Sequence, residues 1–181
     1  MKNINIGLIG LGNIGTGVVK LLQQNEELIT RKLGAKLVLK KIADIDITTP
    51  RAVKLNKNQL TTDAKEIIND KDISIIIELM GGYEPARTLL LEAISQGKHI
   101  VTANKALLAT HGNEIFLAAE QKGIDIGFEA SVGGTIPIIK TLKESLVANK
   151  INSILGIMNG TSNFILTKMT DEDKKFDVVL K

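Results

Sequence analysis

The chain has 181 residues, 44% hydrophobic and 24% charged, a balance that fits a folded globular protein and excludes disordered and fibrous classes. Its length holds one ordinary domain, or one domain plus a fragment of another, and a net charge of +3 with 3% aromatic residues and no long basic block leaves no footprint for nucleic-acid binding. The absence of cysteine removes disulfides, Cys-ligated zinc, iron–sulfur clusters and thiol nucleophiles and fits a reducing cytoplasm, while two histidines, His99 and His111, cannot build a His-rich metal site.

The apolar stretch 4–11 is too short and too interrupted by glycine to cross a bilayer, and no signal-peptide cleavage pattern follows it. No other stretch approaches the length of a membrane span, so the expectation is a cytoplasmic protein with no membrane partner. Brief β-branched runs at 4–9, 36–43, 73–78, 99–102 and 124–128 have the length and composition of buried parallel strands. Helical patterns alternate with them. Over 14–29, Ile14, Val18, Leu21, Leu22, Leu28 and Ile29 share one face at helical spacing. A short helix is expected at 65–68, and a longer one runs from a first-turn Pro85 to Gln96, with Leu89, Leu90 and Ala93 inward and Gly97 as its stop. Residues 114–121 form another, ended by Gly123.

Strand and helix in strict alternation imply right-handed crossovers and a doubly wound, mostly parallel α/β sheet of Rossmann type, expected over residues 1–130. The pattern changes beyond it. A helix at 137–147, a strand at 150–158 and a helix over 161–169 read as the beginning of a second, α+β substrate and dimerisation domain over 131–181.

Gly10-Leu11-Gly12-Asn13-Ile14-Gly15 lies between the first strand and the first helix, the context in which a G-x-G-x-x-G match signals a dinucleotide site. Gly10 permits the tight turn, Gly12 leaves room for a pyrophosphate, and Gly15 lets the helix approach the sheet. Backbone N–H groups of the first turn, at Asn13 and Ile14, then face the phosphates. A glycine-rich turn without function is the plain alternative. The second strand ends in Asp44, where a carboxylate would accept hydrogen bonds from the adenosine ribose and repel a 2′-phosphate. An Asx turn that merely closes the strand is the other reading of Asp44. Arg51, Lys54 and Lys57 are close enough in sequence to neutralise a 2′-phosphate, so NAD is favoured and NADP stays open.

Four further segments, 77–82 (IELMGG), 101–108 (VTANKALL), 128–137 (FEASVGGTIP) and 156–166 (GIMNGTSNFIL), taken with the glycine turn, resemble homoserine dehydrogenase collinearly from residue 4 to about 169. The resemblance implies interconversion of L-homoserine and L-aspartate 4-semialdehyde by hydride transfer to and from a nicotinamide cofactor, in the route to threonine, methionine and isoleucine, by an enzyme that is a homodimer when full length. It implies that Lys105 handles the substrate proton and also touches the cofactor, with Met80, Gly81 and Gly160 as further cofactor contacts. Free lysine titrates near about 10.4, so burial or a second cation would have to tune such a base; a solvated lysine at a helix start is the alternative from position alone. Asn104 reads as the cap of the helix that begins after it.

The resemblance also implies a monovalent cation, usually sodium, held by Glu129 and the backbone of Val132, Gly134 and Ile136; without it this segment reads as an interdomain loop. Asn159-Gly160-Thr161 reads as a helix cap that the resemblance brings near nicotinamide and substrate, and both histidines as packing or surface groups. The match departs from the family where a Gly-Tyr-Ala-Glu-type segment, acidic substrate ligands and a second lysine would follow, since Tyr83 is the only tyrosine. That departure predicts dinucleotide binding without turnover for these 181 residues alone. A dinucleotide-binding module without catalysis is thus the second reading. Another two-domain dehydrogenase of aspartate-semialdehyde metabolism is the third, disfavoured by Asn104-Lys105 and by the segment 159–163.

Overall fold

The computed structural model describes residues 1–157 and 159–180. Six strands pair in parallel, β1 (Lys2–Ile9), β2 (Ala35–Ala43), β3 (Leu60–Thr61), β4 (Ile73–Glu78), β5 (His99–Thr102) and β6 (Ile126–Gly127), in the order β3-β2-β1-β4-β5-β6. This is the Rossmann order, in which the chain reverses direction across the sheet between β1 and β4 and leaves a crevice at the carboxyl ends of the strands. The register aligns those ends: Ile9 is opposite Ala43 on one side and Glu78 on the other, and Glu78 is opposite Thr102.

Side chains that alternate along each strand feed two cores. Ile76 of β4 joins Ile67 and Ile68 of α3 (Lys65–Ile68), Leu90 and Ile94 of α4 (Ala86–Ser95), and Leu107 and Ile115 of α5 (Lys105–Lys122). Its neighbour Ile77 faces the other way, with Leu8, Leu11, Ile42 and Val19 of α1 (Asn13–Gln24). Full burial of each such aliphatic side chain stabilises by about 1.5–3 kcal/mol relative to exposure. Both faces of β4 are covered for that reason, and its apolar residues are Ile73, Ile75, Ile76 and Ile77.

The helix expected over 14–29 is two helices, α1 and α2 (Glu26–Leu33), broken at Asn25, whose Nδ2 donates to the carbonyl of Leu21 at 3.0 Å. Asn competes with backbone bonding in this way, and α2 then ends on left-handed Gly34 at φ 67°. Of the residues that share the expected face, Val18 packs against the core. Gly15 and Val19 are the buried residues of α1, whereas Ile14, Leu21 and Leu28 are exposed, because the small residues allow the close approach. Residues 105–122 form one helix, longer than expected, capped by Asn104. Gly112 is buried inside it, where packing offsets a propensity cost of about 1 kcal/mol.

The chain divides into compact units Met1–Ile136 and Pro137–Lys181. In the second unit the expected helix 137–147 is a single turn, α7 (Ile138–Lys140), followed by a π-helical turn, Thr141–Ser145. Thr141 Oγ1 donates to the carbonyl of Pro137 at 2.6 Å, a side-chain bond of the kind that distorts helices. The strand expected at 150–158 does not form over 150–157, since a strand needs an edge to pair with and this unit supplies none among the described residues; Met158 lies outside them. Helix α8 (Gly160–Asp171) starts and ends close to expectation, and a further turn, α9 (Phe176–Val179), follows.

Candidate functional site: a dinucleotide cleft at the carboxyl edge of the sheet

A cleft of about 590 Å³ opens at the carboxyl ends of β1, β2 and β4. Its floor is Ile9, Gly10 and Gly12, one wall is Ala43, Asp44 and Ile45 with Thr62–Lys65, and the other is Leu79, Met80 and Gly81 with Pro85 and Leu89. Apolar walls with a few convergent polar groups are what a small-molecule site requires.

The three glycines of the turn meet different demands. Gly10 has φ 99°, and a Cβ there would lie 2.7 Å from the backbone of Leu79. A Cβ on Gly15 would lie 2.1 Å from the carbonyl oxygen of Gly10, so the first turn of α1 rests directly on the glycine loop. Gly12 differs: it is the N-cap of α1 with φ −69° and ψ −159°, open space lies where its Cβ would project, and no side chain caps the helix. The N–H groups of the first turn, at Asn13 and Ile14, thus have a vacant approach and the partial positive charge of the helix end behind it. An open helix N-terminus of this kind favours an anion.

Asp44 is tied into the same loop. Its Oδ2 accepts a short hydrogen bond from the N–H of Leu11, and its Oδ1 accepts from the N–H of Asp46 at 2.8 Å. The Asx turn and the site geometry therefore coexist in one carboxylate. Asp46 binds Thr49 and Thr48, whose hydrogen bonds hold its carboxyl far below the usual carboxylate range. Arg51 donates from Nη2 to the carbonyl oxygen of Asp46 at 3.1 Å and is paired with its carboxylate. Lys54 and Lys57 do not line the cleft, whereas Lys65 and Asp63 do. Sequence reasoning missed these last two because β3, which presents them, is only two residues long and too short to carry a periodic signal.

On the opposite wall, Gly81 and Gly82 have φ 75° and 74°, a left-handed pair that turns the chain sharply after β4. Asn104 Oδ1 accepts from the N–H of Leu107 at 3.1 Å and its Nδ2 donates to the carbonyl of Gly82 at 2.7 Å. Lys105 is the first residue of α5, with an exposed side chain, beyond the carboxyl end of β5. Five strands precede it, one more than the runs read in the sequence, because β3 is too short to show there.

Residues 129–136 curl as expected of a glycine-rich segment. Glu129 starts α6 (Glu129–Val132) and is half-buried, and Thr135 has φ 66°. The backbone bonds of the turn run from Gly133 N–H to the Glu129 carbonyl and from Ile136 N–H to the Gly133 carbonyl. In the second unit Asn159 caps α8, its Oδ1 accepting from the N–H of Ser162 at 2.7 Å, and Gly160 is the first residue of that helix. His99 Nδ1 accepts from the N–H of Asp125 and His111 packs edge-on to Tyr83, both packing roles.

No helix among the described residues is long and apolar enough to cross a membrane. Residues 10–129 match the family model described as the NAD-binding domain of homoserine dehydrogenase, and residues 137–181 match the homoserine dehydrogenase model. The chain is 44% identical over its whole length to the homoserine dehydrogenase of Bacillus subtilis, covering 42% of that protein. It is 51% identical over 98% of its length to that of Synechocystis, covering 40%. Among solved structures, a homoserine dehydrogenase from Thiobacillus denitrificans superimposes with a TM-score of 0.91 at 48% identity, over 99% of this chain and 42% of that one. The chain thus spans about two fifths of the length of these relatives. With a Rossmann sheet, a glycine cradle at its carboxyl edge and matching family models on both sides of Ile136, the chain belongs to the homoserine dehydrogenase family.

Proposed function

We propose that residues 1–136 bind NAD in the cleft and that the chain serves as the cofactor-binding part of a homoserine dehydrogenase that interconverts L-homoserine and L-aspartate 4-semialdehyde. The observation that carries this reading is the union of the glycine cradle and Asp44 through the Leu11 N–H bond. Asp44, so oriented, would accept from the ribose hydroxyls, and its charge would oppose a 2′-phosphate. Arg51, engaged by Asp46, would offset that opposition only in part, which supports NAD over NADP.

A nicotinamide dinucleotide, when bound, supplies the hydride donor and acceptor. The chain's own residues orient it and manage the proton. Asn13 and Ile14 would take the diphosphate, Met80 and Gly81 the side of the cofactor nearer β4, and Lys105 would receive the hydroxyl proton of homoserine as the alcohol becomes an aldehyde and return it in reduction. Gly160, at the start of α8, is a cofactor contact by the family resemblance. Glu129 with the carbonyls of Val132, Gly134 and Ile136 is a hard-oxygen donor set that suits sodium. A homodimer and a cytoplasmic location rest on the family resemblance and the absence of cysteine. The test is direct titration of the chain with NAD and NADP, together with homoserine-dependent NADH formation by a polypeptide that carries these residues and the portion the relatives add. Dinucleotide binding with NAD preferred is expected from the first and turnover from the second; no dinucleotide binding would overturn the reading.

A further inference from the structure

Glu78 is a fully buried carboxylate at the end of β4, where an aliphatic residue would continue the strand and where burial of a charge is costly unless its hydrogen bonds are met. Its Oε1 accepts from the N–H of Met80 at 2.8 Å and of Gly81 at 3.4 Å, and its Oε2 accepts from Thr102 Oγ1 at 2.6 Å. Thr102 Oγ1 in turn accepts from the N–H of Asn104 at 3.0 Å, and Asn104 reaches back to the carbonyl of Gly82. The bonds close a ring from the cofactor-facing turn, through the carboxylate, to the residue before Lys105 and back to the turn. An anion is suited to this place because every group that meets it is a donor, and bonds to an ionised acceptor are roughly twice as strong as neutral ones.

We propose that Glu78 is a positioning residue that fixes two parts of the site against each other: the Leu79–Met80–Gly81 wall of the cleft and the backbone that carries Lys105. The wall ends in left-handed Gly81, followed by left-handed Gly82, a pair that without a tether would sample many conformations. Helix α5 begins immediately after Asn104, so its first residue is set by the same carboxylate. The proposal rests on the NAD-site reading for its effect on binding, but its geometry is independent of that reading.

Two substitutions test it in the 181-residue chain. Glu78→Gln keeps the shape, removes the charge and turns one acceptor into a donor facing Thr102. Amide hydrogen exchange at Met80 and Gly81 should accelerate by about fivefold or more, and the Kd for NAD should rise by a similar factor, as charge-assisted bonds become neutral ones. A purely structural role would lower the melting temperature and leave the Kd of the folded chain unchanged. Thr102→Val cuts only the second arm, so exchange should accelerate at Asn104 and stay unchanged at Met80 and Gly81. Wild-type exchange and Kd in folded Glu78→Gln, or wild-type exchange at Asn104 in Thr102→Val, would overturn the proposal. Should Glu78→Gln fail to fold, Thr102→Val decides alone. A wild-type chain that binds no NAD would defeat the cofactor reading instead, with the exchange data still reporting on the tether.

Discussion

Gly12→Asp should make the chain at least as stable while abolishing dinucleotide binding. Position 12 is the N-cap of α1, with backbone angles any residue adopts and open space in front of the missing side chain. Asp is among the preferred N-caps, its carboxylate can accept from the uncapped N–H groups, and its charge favours the positive end of the helix by about 0.3–1 kcal/mol. At about 2–4 °C per kcal/mol for a chain of this size, the melting temperature should stay level or rise by up to about 4 °C. The same carboxylate would occupy the donors that a diphosphate needs and would repel it. One pair of unit charges about 4 Å apart costs about 4 kcal/mol at an effective dielectric of 20, and half of that, at about 1.4 kcal/mol per decade, exceeds a tenfold loss. With the displaced hydrogen bonds added, a loss of a hundredfold or more in Kd is expected. Thermal melting followed by circular dichroism and calorimetric titration with NAD measure the two effects. NAD affinity equal to wild type would remove the phosphate cradle from position 12, and a melting temperature well below wild type would refute the cap argument.

Gly15→Ala should do the reverse: its Cβ would meet the carbonyl oxygen of Gly10 at 2.1 Å, and overpacking of about 1–3 kcal/mol should appear as a lower melting temperature. Asp44→Ala should narrow the preference for NAD over NADP in parallel titrations; equal affinities in wild type would remove Asp44 from that role. Lys105→Ala, in a polypeptide that also carries the portion supplied by the relatives, should lower kcat by about a hundredfold or more while leaving NAD affinity within a few-fold, and an unchanged kcat would end its assignment. Lys40, bound to Asp70 and Asp72, holds the Asp70 carboxyl below its ordinary 3.8. A depressed carboxylate contributes stability above its unfolded pKa and loses it as pH falls through the folded value, so denaturant unfolding should show a loss below about pH 4 that Lys40→Met reduces.

Much of this architecture was legible in local pattern. The run 73–78 buries Ile76 and Ile77 on opposite faces and its neighbour 99–102 buries Ile100 and Thr102, so β-branched residues dominate them and the strand limits are visible in the sequence. The glycine turn was legible for a related reason: steric demands at Gly10 and Gly15 come from backbone atoms close in the chain or at the next strand end, and few residue types satisfy them. Asn104 was recognisable as a cap because capping depends on a side chain and an N–H three residues away. Where the chain's preferences were outweighed by distant contacts, sequence alone misled. Residues 150–157 have the composition of a strand but no partner edge among the described residues of their unit. Ile14, Leu21 and Leu28 have helical spacing yet face outward, since Gly15 and Val19 fit closer to the sheet.

The composition, alternation and glycine spacing by themselves determined a parallel sheet of Rossmann type and the position of its glycine turn, because both follow from interactions short in sequence. Only the tertiary structure decided that Asp44, 33 residues from Leu11, accepts its N–H, that Thr62–Lys65 line the cleft, and that Glu78 gathers donors from Met80, Gly81 and Thr102. A buried carboxylate at a strand end carries no periodic signature. Its meaning depends on which hydrogen-bond donors the packed sheet brings to it, and that is settled by the alignment of β4 with β5.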